Sequence, residues 1–139
     1  MRAKFSPETH RALKSACAPM ANIVQPDGYI DLTAAHFEIL HNQVLELLFQ
    51  DDNVDLVMQI VAPSAFIDQK LIVEEIVKAY EGQKGTKKPF LNAVTFGQFA
   101  LETRKGLETA GLPTVEYSDS LARVAGNMTR YAAFRRSAK

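Results

Sequence analysis

Residues 54–80, VDLVMQIVAPSAFIDQKLIVEEIVKAY, pass from an apolar, β-branched run through Ala62-Pro63-Ser64-Ala65-Phe66 into residues with helical spacing. A strand that feeds a helix through a loop of small residues gathers unpaired backbone N–H groups at one spot. With the positive end of a helix dipole behind them, such groups hold an anion, and a phosphate suits the place. Ser64, Ala65 and Phe66 are the residues this chemistry would use, just before or inside the first turn of the helix. The same stretch also reads as punctuation: Pro63 and Ser64 start a helix, and Asp68 offsets its dipole from the first turn.

The other reactive side chains converge less. His36 and His41 stand five apart on one helix, a spacing that keeps them off a shared face, so they are expected to face solvent with His10 rather than ligate a metal. Cys17, the single cysteine, has no histidine beside it and reads as a small, partly buried residue. In QPDGYID, Asp27 and Asp31 would suit Mg²⁺ or a hydroxyl, but Asp-Gly is turn chemistry and the turn is the expectation. Arg130, Arg135, Arg136 and Lys139 complement the dipole at the end of a C-terminal helix. No G-x-G-x-x-G or G-x-x-x-x-G-K-[ST] occurs, and no carboxylate ends a central strand as a phosphoacceptor site requires. No catalytic residue and no metal ligand set is assigned.

The elements that position these residues follow from periodicity and caps. Ser6, Pro7 and Glu8 open a helix running to about Cys17. A loop with one brief strand near residues 21–24 follows. AAHFEILHNQVLELLFQ places Phe37, Leu40, Val44, Leu47 and Leu48 on one helical face. VDLVMQIV is a strand covered on both faces. The next helix, from Asp68 to Gly82, carries a stripe of Leu71, Ile72, Ile76 and Tyr80. KKPFLNAV is a strand, and GQFALETRKGLETAG is a helix with Phe99, Leu107 and Ala110 inward. LPTVEY is the last strand. The closing helix is capped by Ser118 or Asp119 and turns Leu121, Val124, Ala125, Met128 and Phe134 to the sheet. Alternating strands and helices imply an α/β fold: an open, mainly parallel sheet flanked by helices. A chain of this class is expected to start on a strong central strand, so the helix and weak strand met first suggest that an initial βα unit is missing.

At 139 residues, 47% of them apolar, the chain fits one globular domain. Sixteen Lys and Arg balance sixteen Asp and Glu, so no net field draws it to nucleic acid or anionic membrane. One cysteine, no secretion signal and no run long enough to span a bilayer point to the cytoplasm.

The order of these features resembles the succinyl-CoA-ligase-like flavodoxin domain of the NDP-forming acyl-CoA synthetases, the family of ADP-forming acetyl-CoA synthetase. The resemblance runs through FSPETHRALKSACAPMANIVQPDGYIDL, LFQDDNVDLVMQIVAPSAF and KKPFLNAV, and is most specific in AGLPTVEYSDSLARVAGNMTRYAAFRR. The chain departs from the pattern in three places. It lacks the opening strand with an Asn-x-Gly-Gly turn, it has Gln25 where the family loop has Asn, and none of its histidines has the Ser-His-Thr-Gly-like neighbours of the phosphorylated one.

The resemblance implies one flavodoxin-like domain over residues 1–139, a fragment of an acid–thiol ligase. Such an enzyme turns a carboxylic acid, CoA and ATP or GTP into acyl-CoA, nucleoside diphosphate and phosphate through a phosphohistidine. It implies that Ser64, Ala65 and Phe66 face that phosphohistidine, that Gln25 and Asp31 make loop contacts, and that CoA, nucleotide and Mg²⁺ belong to partner CoA-binding and ATP-grasp domains. This chain alone would bind no cofactor and turn over nothing. A stand-alone flavodoxin-like interaction or regulatory module is the alternative, and an exposed sheet edge would promote self-association.

Overall fold

Two runs, VMQIV and FLNAV, are short, uncharged and rich in β-branched or apolar residues, the composition of strands in a parallel sheet. In the computed structural model they are β3 (Val57–Val61) and β4 (Phe90–Val94), paired in parallel with Val57 opposite Phe90 and Val61 opposite Val94. β5 (Thr114–Val115) adds to the other edge of β4, giving a three-stranded parallel sheet in the order β3-β4-β5. The structure describes residues 3–17, 24–25, 28–32, 38–65, 68–95 and 97–138, with the backbone alone at 24, 25 and 38. Among the described residues five helices accompany the strands: α1 (Pro7–Ala16), α2 (Glu38–Gln50), α3 (Gln69–Glu81), α4 (Gly97–Thr109) and α5 (Ser118–Ser137). The α/β class and the open parallel sheet are as the sequence implies.

β4, the central strand, is buried at every position, as a strand with helices on both faces must be. On one face Val57, Val61, Phe90 and Val94 join Leu45 and Phe49 of α2, Ile72 and Ile76 of α3, and Ala100 and Leu107 of α4 in the main core. On the other face Leu91 and Ala93 pack under Leu121 of α5, flanked by Leu56, Val115, Ala125 and Met128. β3 departs from the expected two-sided burial. Met58 and Ile60 are 51% and 59% exposed, because α5 covers β4 and β5 and stops short of β3.

The helices also bury different faces from those the periodicity suggests in places. In α4 the inward stripe is Ala100, Thr103 and Leu107, whereas Phe99 is 40% exposed and Ala110 is exposed. Beside that stripe Gly106 faces Val73 of α3, allowing close approach. In α5 only Leu121 is fully buried; Ala125 and Met128 are half-buried, and Val124 and Phe134 stand exposed. Its N-cap is Tyr117, which makes no side-chain cap bond, so neither Ser118 nor Asp119 caps it. α2 buries two faces: Leu40 and Val44 meet Leu13 of α1 and Cys17 just past its end, while Leu45 and Phe49 enter the main core. Leu47 and Leu48 are half-buried at the seam, and Phe37 lies outside the described residues.

Gly106 shows how tightly α3 and α4 meet. A Cβ there would fall 2.9 and 3.0 Å from the two methyl carbons of Val73. Alanine ordinarily gains about 1 kcal/mol over glycine inside a helix. Gly106→Ala is nevertheless expected to lower stability by about 1 kcal/mol through overpacking. Adding Val73→Ala should remove that penalty, and chemical denaturation of the double-mutant cycle reads the coupling directly.

Ahead of the α/β body, Ser6 caps α1 by accepting from Thr9 N at 3.1 Å, with Pro7 in the first turn, as expected. A brief strand follows in the loop after α1, overlapping at Val24 the one expected near residues 21–24. β1 (Val24–Gln25) stays out of the parallel sheet and pairs antiparallel with β2 (Tyr29–Ile30), Gln25 opposite Tyr29. Gly28 holds φ +75° between them, the left-handed position of a three-residue hairpin loop. Residues 21–23 lie outside the described residues.

Candidate functional site

The carboxyl ends of β3, β4 and β5 open onto one pole of the sheet, where ligands gather in open α/β folds. The opposite pole is closed by an aromatic group: Phe49 meets Phe90 edge-on at 5.3 Å, Tyr80 stacks on Phe90 at 5.9 Å, and Lys87 lies 4.7 Å above the Tyr80 ring. At the open pole the loop after β3 is held at both ends. Thr95 N donates to Val61 O at 2.9 Å, and Gln69 Nε2 donates to Ser64 O at 3.1 Å. Thr103, fully buried on α4, donates its hydroxyl to Gln69 Oε1. Pro63 is buried, Ser64 half-buried and Ala65 exposed.

The helix begins later than the phosphate reading of the sequence supposes. α3 starts at Gln69, five residues after Ser64, and its N-cap is Asp68. The Asp68 carboxylate accepts from Lys70 N at 3.0 Å and Leu71 N at 3.1 Å. The helix therefore presents a carboxylate at the place where bare N–H groups would meet an anion. Ser64 and Ala65 lie in the loop ahead of it, not in its first turn, and Phe66 lies outside the described residues.

Arg104 of α4 reaches the end of β4. Its Nη2 donates to Val94 O at 3.2 Å, at the end of β4, and its Nη1 lies 3.7 Å from Glu116 Oε2 after β5. Its buried Nε has no partner among the described residues. Gln69, Thr103 and Arg104 were not singled out in the sequence. A threonine on the buried stripe of α4, one residue before an arginine, was the available signal.

The remaining candidates are dispersed. Asp31 is exposed just after β2, and the Gln25 backbone pairs with Tyr29 in the hairpin, away from the open pole's strands. Asp27 and His36 lie outside the described residues. His41 corrects the expectation of a solvent-facing ring: it is half-buried, and its Nδ1 lies 2.7 Å from Gln59 Nε2, tying α2 to β3. Cys17 is fully buried between α1 and α2, and burial pushes its thiol pKa up, which suits packing rather than nucleophilic attack. No group of three His, Cys, Asp or Glu side chains able to hold a metal occurs among the described residues. No described helix is long and apolar enough to cross a membrane.

An open parallel sheet with loops gathered at its carboxyl pole defines an α/β domain. Comparison with solved structures places that domain. The chain superposes on PH0766 of Pyrococcus horikoshii OT3 with a TM-score of 0.73 and 26% identity, over 83% of this chain and 26% of that one. It superposes on the dinucleotide forming acetyl-coenzyme A synthetase 1 of Ca. Korarchaeum cryptofilum with a TM-score of 0.68 and 17% identity, over 81% of this chain and 24% of that one. The same values hold for that synthetase in complex with phosphate and ADP. The chain thus has the fold of an acyl-CoA synthetase-like domain and spans about a quarter of the length of the structures it matches. No family model matches the sequence, and no curated protein matches it.

Proposed function

We propose that this chain serves as a domain of an NDP-forming acyl-CoA synthetase, with catalysis completed by partner domains. The observation that carries this reading is the fold shared with the Korarchaeum synthetase over 81% of the chain. In this reading CoA, ATP or GTP, and Mg²⁺ are bound by CoA-binding and ATP-grasp partners in the cytoplasm. The loop at Ser64, Ala65 and Phe66 faces the phosphohistidine that a partner delivers, and Gln25 and Asp31 lie on a docking surface. Support for the loop comes from its position at the open pole and from the Gln69–Thr103 pair that holds Ser64 O.

The Asp68 carboxylate at the start of α3 favours a second reading, a flavodoxin-like interaction module that keeps the scaffold without a phosphate site. One assay separates the two. The chain is mixed with the Korarchaeum synthetase lacking its matched quarter, and acetyl-CoA formation is followed. Restored turnover is expected, falling about a hundredfold in Ser64→Asp, whose charge repels a phosphate. Turnover that survives Ser64→Asp would keep the domain and discard the loop's role. Neither complex nor turnover, from either form, would discard the synthetase reading in favour of the module.

A further inference from the structure

α5 is longer than the sheet needs. It packs back over β4 and β5 through Leu121, Ala125 and Met128, leading from the carboxyl pole toward the opposite one. Past Met128, every residue from 129 to 138 is exposed. About 15 Å of helix therefore has nothing beneath it, although helices in proteins draw most of their stability from an apolar face packed against something.

Such a face is present. At the helical repeat Val124, Tyr131 and Phe134 follow one stripe with Asn127 between them, the three-and-four spacing of a helix–helix seam. The three are 38%, 61% and 65% exposed. Arg123 and Arg130 border the stripe on one side and Arg135 on the other. Residues 120–139 carry five basic side chains and no acidic one, although the chain as a whole is neutral. Among the described residues only Arg123 of this group has an ion-pair partner, Asp119 at 3.0 Å, while Arg130 donates to Asn127 Oδ1 at 2.5 Å. Complementing the helix dipole accounts for Arg135 and Arg136 in the last turn, but not for two aromatic rings standing in water beside them.

We infer that the C-terminal half of α5 is a docking arm for an acidic amphipathic helix of another polypeptide, whose apolar seam covers Val124, Tyr131 and Phe134 and whose flanking carboxylates meet Arg130 and Arg135. A second copy of this chain fits poorly, because two arms paired through the same stripe would bring arginine against arginine with no carboxylate between them. A lipid surface fits poorly as well. Arg136 projects from the side of the helix opposite Phe134, and charges spread around a helix cannot all face one plane of headgroups. The inference rests on α5 alone and is independent of the synthetase reading.

The test titrates the full chain with two synthetic peptides of about three heptads, both with leucine at the seam positions, one with glutamate and the other with lysine at the flanking positions. Like charges keep each peptide from pairing with itself. Calorimetry is expected to show a 1:1 complex with the glutamate peptide and binding about tenfold weaker or worse with the lysine one. The amides of residues 130–134 should exchange fast in the chain alone and slowly in the complex. Tyr131→Ala with Phe134→Ala should weaken binding about tenfold or more, and Arg130→Glu with Arg135→Glu should turn the preference toward the lysine peptide. All four positions are exposed, so the melting temperature should hold. The inference is overturned if neither peptide binds, if the two bind alike, or if binding of the glutamate peptide ignores either pair of substitutions. It is equally overturned if the arm's amides become protected in the chain alone as its concentration rises, which would make the occupant a second copy. Capture of the chain by vesicles of phosphatidylserine and phosphatidylcholine, without binding of the glutamate peptide, would overturn it in favour of a membrane.

Discussion

Asp51→Ala is expected to lower the stability of the fold by about 3 kcal/mol, the cost of stranding buried donors that share one charged acceptor. Asp51 is 4% exposed. Its Oδ2 accepts from Ser6 N at 2.8 Å and its Oδ1 from Asn53 N at 3.0 Å. Lys88 Nζ donates to its backbone carbonyl at 2.5 Å. One side chain thus joins the segment before α1, the turn after α2 and the approach to β4. Burial by itself would raise its pKa, but the hydrogen bonds from Asn53, Ser6 and Thr9 and the charge of Lys88 outweigh it and hold the carboxyl below the usual range. The sign of the pH dependence follows. A carboxyl with a depressed folded-state pKa contributes stability that is complete above its unfolded value, about 4, and is lost as pH falls through the folded one. Urea midpoints measured from pH 6 downward should fall below about pH 4 in the wild type. In Asp51→Asn, which turns an amide donor toward N–H groups, the midpoint should start low and change less over that window. A variant as stable as wild type at pH 6 would show that the carboxylate clamps nothing.

Gly28→Ala should cost a similar amount, about 3 kcal/mol, for two reasons that can be separated. The left-handed φ of +75° penalises any side chain by about 1–2 kcal/mol. In addition, a Cβ at this position would fall 2.3 Å from Ala3 O and 3.1 Å from Ala3 N, backbone atoms that no rotamer change can move aside. Ala3 packs against the main core, so the hairpin and the segment before α1 must shift together. Gly111→Ala provides the control. Gly111 has φ +76° but nothing within 4 Å of its would-be Cβ, so it should lose the conformational part only. Thermal denaturation that ranks the two substitutions equally would mean that the approach of Gly28 to Ala3 contributes nothing.

Both substitutions act where distant segments meet, and that boundary also divides what the sequence discloses from what it conceals. The cap of α1 at Ser6, the stripe of Ile72 and Ile76 in α3, the strand FLNAV and the stop of α4 near Gly111 are set by neighbours a few residues away, and all were legible. The loop after β3 was legible as a loop. The start of the next helix at Asp68 was legible too; what was not is that the loop ahead of it is held by Gln69 and Thr103, because that contact joins α3 to α4. Likewise Arg104, an unremarkable cation in a helical pattern, gains its place at the open pole only because α4 lies against the end of β4.

The sequence by itself determined the class of this protein. Strands and helices alternate with short connections, and apolar residues are spaced to bury one stripe of each helix, so a parallel α/β sheet is the arrangement that buries them. The tertiary structure alone decided that β3 is an edge among the described residues with Met58 and Ile60 exposed, that Phe99 and Phe134 turn outward, that the hairpin stays out of the sheet, and that Asp51 joins three segments. The physical reason is range. Periodicity and caps are local and act through a few successive residues, whereas which face is covered, and which donor meets which acceptor, is settled by segments that approach one another only after the chain has folded.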